Sequence, residues 1–84
     1  MTKLEITLKN LGYTHPYNKM YHYKYFKNIP IKVYTNYSDT LIEQFQVGNC
    51  DFTYSREQAE NLVKAWDIVD EDLKQLDIYM EGNN

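Results

Sequence analysis

The chain of 84 residues has one cysteine (Cys50), one arginine (Arg56), two prolines and three glycines. A lone thiol excludes an internal disulfide and a cysteine-built metal framework. His15 and His22 are the other soft ligands, and no pairing among the three has zinc-finger spacing, so no metal and no cofactor is expected. A glycine-rich phosphate loop, a G-x-S-x-G elbow and an H-E-x-x-H pair are all missing. A chain this short leaves little room for a pocket beside its core, and the reading is a protein that is not an enzyme. No apolar run nears the roughly 20 residues of a membrane span. The opening MTKLEITLKNLGY has no apolar h-region. A soluble protein of a bacterial cytoplasm is therefore expected. No linker, repeat or low-complexity stretch divides the chain, and 1–84 reads as one domain.

What the sequence does hold is tyrosine and a lopsided charge. Nine residues are tyrosines, and the net charge is −3. Residues 1–38 carry six lysines against Glu5 alone, whereas residues 39–84 carry three cations against eleven acids. Such a chain attracts itself end to end or shows a charged face to a partner.

Thr2 and Glu5 form a T-x-x-E capping box, Leu4, Leu8 and Leu11 follow at helical spacing, and Gly12 stands where a C-cap glycine belongs. A helix is predicted over 2–11. Residues 20–26 and 31–36 alternate as strands, joined through KNIP at 27–30. Register decides which face is buried. A two-residue turn at Lys27-Asn28 sets His22 and Lys24 beside Ile31 and Val33. An odd loop pairs Tyr25 with Ile31 and Tyr23 with Val33. The second register segregates polarity. It predicts Tyr21, Tyr23 and Tyr25 inside, with His22, Lys24, Lys32 and Tyr34 on a basic outer face.

LIEQFQV (41–47) and CDFTY (50–54) flank Gly48-Asn49, a hairpin turn pair. Val47, Cys50, Phe45 and Phe52 then share the inner face, with Glu43 pointing inward opposite Tyr54. Ser55 and Gln58 make a second capping box. Ala59, Leu62, Trp66, Val69, Leu73, Leu76 and Met80 trace an apolar stripe along a helix over 56–81. Straight, that helix is about 39 Å long and overhangs a strand of about 20–24 Å. It is expected to bend near Asp67–Asp70 and rest its end on the first helix. A monomer is favoured, and a homodimer along Leu73, Leu76 and Met80 is the alternative. The predicted class is α+β: a short N-terminal helix, a four-stranded antiparallel meander and a long C-terminal helix on one sheet face.

The candidate contact surface is the acidic helix. Glu57, Glu60, Asp67 and Glu71 oppose the stripe, flanked by Asp70, Asp72, Asp77 and Glu81. Spaced carboxylates meet lysine and arginine as phosphates do. In size, acidity and lysine-over-arginine bias the chain is similar to small phage and prophage anti-defence proteins, anti-CRISPR inhibitors among them. That resemblance implies an inhibitor that mimics DNA toward a basic, nucleic-acid-handling partner, with no membrane involved. The alternative reading is direct nucleic-acid binding by His22, Lys24, Lys32 and Tyr34, with lysines on phosphate and Tyr34 stacked on a base.

Overall fold

The computed structural model describes residues 1–49 and 55–80. Helix α1 spans Lys3–Asn10, with both halves of the Thr2–Glu5 capping box formed. It stops because Gly12 takes a φ of +95°, a region where a side chain is strained. Strands β1 (Tyr21–Phe26), β2 (Ile29–Thr35) and β3 (Ile42–Val47) form an antiparallel sheet in the order β1-β2-β3. Helix α2 runs Arg56–Leu76 from the Ser55–Gln58 capping box, and a 3₁₀ turn follows at Asp77–Tyr79. The α+β order is as expected. The sheet has three strands among the described residues where four were predicted, the fourth, at 50–54, lying outside them. The expected inward positions of Cys50, Phe52 and Tyr54 lie there too. No helix among the described residues is long and apolar enough to cross a membrane.

The register of the first hairpin corrects the sequence reading. Phe26 pairs with Ile29, Lys24 with Ile31 and His22 with Val33 across a two-residue turn at Lys27-Asn28. Lys27 supports that turn with a φ of +54°. His22 and Lys24 therefore point to the core side with Ile31 and Val33, and Tyr21, Tyr23 and Tyr25 point away. Polarity misled because the two inward groups are not left bare. Each reaches an acid on another element, and a buried polar group that is paired costs little.

A bulge in β3 corrects a second expectation. Tyr34 pairs with Gln44 but Thr35 pairs with Ile42, so Glu43 is the extra residue. The bulge turns Ile42 into the core, fully buried, and leaves Glu43 exposed at the surface. A carboxylate that would have faced the interior is thereby replaced by a methyl-rich side chain.

Both helices cover the same face of the sheet. Leu4 and Leu8 of α1, and Ala65, Val69 and Leu76 of α2, are buried with Ile31, Val33 and Val47. The buried line on α2 is rotated from the expected stripe. Trp66 is 43% exposed, and Asp72 stands in the buried row at 6%. The helix passes through Asp67–Asp70 without a break, and the change to 3₁₀ geometry comes at Asp77. Its end is covered by its own chain. Tyr79 reaches the Thr7 hydroxyl of α1 at 3.5 Å, and Met80 bridges to Ile42.

Candidate functional site

The sheet face away from the helices has no described element packed on it. Strand alternation places three rows there: Tyr21-Tyr34-Gln44, Tyr23-Lys32-Gln46 and Tyr25-Pro30. The tyrosine rings touch one another along and across the strands. Tyr21 lies 5.4 Å from Tyr34 and 6.4 Å from Tyr23, and Tyr23 lies 5.6 Å from Tyr25, in tilted and edge-to-face arrangements. Edge-to-face packing satisfies the ring quadrupoles and fixes the rings against rotation. The Lys32 ammonium sits 4.8 Å from the Tyr21 ring centroid, and the Tyr34 hydroxyl donates to Gln46 Oε1 at 3.1 Å. Tyr25 at the end of the row is 63% exposed. Among the described residues no acid occupies a paired position on this face.

Of the basic-face residues named from sequence, Lys32 and Tyr34 are on this surface, and His22 and Lys24 are on the other side of the sheet. The three tyrosines assigned to the core are what replaces them. A signal for this was present in the Lys27-Asn28 pair, because a two-residue hairpin forces the register found.

The acidic helix is only partly as expected. Glu57, Glu60, Asp67, Asp70, Glu71 and Asp77 are exposed, and Glu81 lies outside the described residues. Cations are interleaved among them: Arg56 approaches Glu60 at 4.0 Å and Lys74 meets Glu71 at 2.9 Å. Val63 and Trp66 are also exposed on this helix. Asp72 is not a surface group at all.

Asp72 belongs to a buried polar cluster. Its Oδ2 accepts from the Tyr13 hydroxyl at 2.7 Å and pairs with Lys24 Nζ at 2.8 Å. Lys24 Nζ also donates to the Leu11 carbonyl at 3.0 Å and lies 4.6 Å from the Tyr13 ring centroid. The three groups tie the loop after α1, strand β1 and helix α2 together. Burial raises the Tyr13 pKa well above its ordinary value of 10.0, and donation to the Asp72 carboxylate raises it further. The unfolded chain therefore releases this proton near pH 10 while the folded chain retains it, so stability falls as pH rises past that value. The expected slope from Tyr13 is about 1.4 kcal/mol per pH unit. Denaturant midpoints for wild type and Tyr13→Phe, measured from about pH 9 to about pH 11, should converge as pH rises. Parallel curves would contradict it.

A second polar cluster lies at the other end of β1. His22, 3% exposed, approaches Asp39 Oδ1 through Nε2 at 3.2 Å and stacks on His15 with ring centroids 4.2 Å apart. Thr35 Oγ1 donates to the same Asp39 oxygen at 2.5 Å. Burial lowers the His22 pKa from its ordinary 6.5, with the Asp39 hydrogen bond acting in the opposite direction. His15, His22 and Asp39 are the residues that could hold a metal ion among those described, their ligand atoms lying within 4.8 Å of one another. Sequence spacing did not show this set, because its members come from three separate segments.

Compared with known proteins, the chain matches no family model, no curated protein and no solved structure.

Proposed function

We propose that the chain is a binding module, without catalysis of its own, that holds single-stranded nucleic acid across the tyrosine face of its sheet. The observation that carries this reading is the row of touching tyrosine rings on a face with no described element packed on it, with Lys32 among them and no paired acid among the described residues. Every base has a π-face, so aromatic stacking accepts any sequence and contributes about 1–3 kcal/mol per base. Lys32 supplies charge for phosphate. The exposed acids of α2 lie on the layer opposite this face, where they repel the strand least. Two or three stacked bases with a phosphate contact from Lys32 give an affinity on the order of micromolar. With so few phosphates neutralised, the salt dependence is shallow, a slope of about −0.7 for each.

Fluorescence anisotropy with a labelled oligothymidylate at low salt tests this. Saturable binding is expected, weaker for a duplex whose bases are already stacked. Tyr25→Ala should weaken binding by about tenfold, equivalent to one lost stack, with only the small stability cost of its edge contact to Tyr23, since Tyr25 is exposed. No signal at low salt with tens of micromolar protein would sink the proposal.

A second reading keeps the acidic helix as a protein-binding surface, as in an anti-defence inhibitor that meets a basic nucleic-acid-handling partner. The exposure of Trp66 and Val63 beside Glu60, Asp67 and Asp70 favours it, since an aromatic centre with a polar rim is the anatomy of protein interfaces.

A further inference from the structure

We propose that His15, His22 and Asp39 bind a divalent transition-metal ion of the zinc class. Two imidazoles and a carboxylate, with room for a fourth ligand, are a donor set suited to zinc. Zinc bonds of 2.0–2.2 Å place two tetrahedral ligands about 3.3 Å apart. His22 Nε2 and Asp39 Oδ1 already stand at 3.2 Å. An ion between them needs the Nε2 lone pair, so the proton that Nε2 gives to Asp39 in the metal-free pair moves to Nδ1 and His22 stays neutral. One ligand atom from each residue lies within 4.8 Å of the others, but the His15 and His22 rings are stacked at 4.2 Å, so His15 has to swing out of the stack to aim a ring nitrogen at the ion. His15 is exposed and lies in the segment between α1 and β1, where such a shift disturbs no core packing.

The supporting contacts are those a metal ligand needs. His15 Nε2 lies 2.7 Å from the Lys19 carbonyl, which can only accept. The ring proton is therefore on Nε2, and Nδ1 carries the lone pair. Asp39 is held by the Thr35 hydroxyl on its carboxylate and by the Thr2 hydroxyl on its carbonyl, both at 2.5 Å. Outer contacts of this kind orient ligands and raise their affinity. A cavity of about 240 Å³ opens on both histidines, lined also by Glu5, Tyr13 and Thr14. It leaves space for a water or a small ligand at the fourth position. The ion would clip together the α1–β1 segment, strand β1 and the β2–β3 loop.

The test is titration of the chelator-treated full chain with zinc chloride by calorimetry, and with cobalt chloride by absorbance. One ion per chain is expected, with the visible bands of four-coordinate cobalt. At a hundredfold excess over the dissociation constant, zinc should raise the melting temperature by on the order of 10 °C. His15→Ala and Asp39→Asn should each lower the affinity at least about tenfold. His15→Ala should keep a cooperative metal-free melting transition, because the residue is exposed and lies outside the core. No uptake at millimolar zinc, or uptake undiminished in both variants, overturns the site.

Discussion

Lys24→Met is expected to destabilise the fold by about 3–5 kcal/mol. The methionine matches the lysine stem in length, so packing is largely kept. What is lost is the cation opposite Asp72, which then remains 6% exposed with only the Tyr13 hydroxyl as partner. An uncompensated charge in that position is what makes breaking one half of a buried pair costly. A domain of 84 residues has roughly 4–13 kcal/mol of total stability, so a large part of it is at stake. The full replacement Tyr13→Phe, Lys24→Met and Asp72→Leu should recover most of the loss, because no polar group is then left unpaired. Urea midpoints of the single and triple variants measure both effects. A single variant within about 0.5 kcal/mol of wild type, the ordinary tolerance of a surface site, would show that Lys24 lies in solvent and that the hairpin register is different.

The second large effect is an inversion of the usual order of side chains. Leu76→Ala should cost about 2–5 kcal/mol, and Trp66→Ala about 1 kcal/mol or less. Tryptophan is the larger residue, and in a core its truncation is as damaging as any. Here Trp66 is 43% exposed and Leu76 is fully buried in the common core. The comparison reads the rotation of α2 directly. If Trp66→Ala proves the more damaging, the helix presents the face that the apolar stripe alone would predict.

Local signals were legible wherever one element decides its own structure. Two capping boxes, the glycine after α1 and the alternation of the strands all mark elements that form as read. Each depends on contacts within a few residues, so the sequence around it is enough. The helix stripe was legible as a helix but not as an orientation. Trp66 and Asp72 lie on opposite margins of the apolar row. Only the presence of Tyr13 and Lys24 across the interface makes the aspartate the inward one.

By itself the sequence determined an α+β chain with a helix at each end and the separation of lysine from acid along its length. Tertiary structure alone decided which face of each element is buried. Strand side chains alternate with a period of two, so a shift of one residue exchanges the faces completely, and local sequence is nearly indifferent to the choice. The choice was made by distant partners: Asp72 for Lys24, Asp39 for His22, and Ile42 substituted for Glu43 by a bulge. The tyrosines were free to go outward because each carries a hydroxyl that water can satisfy and a ring that its neighbours partly cover. The same long-range pairing brought His15, His22 and Asp39 into one cluster, which no spacing along the chain could have announced.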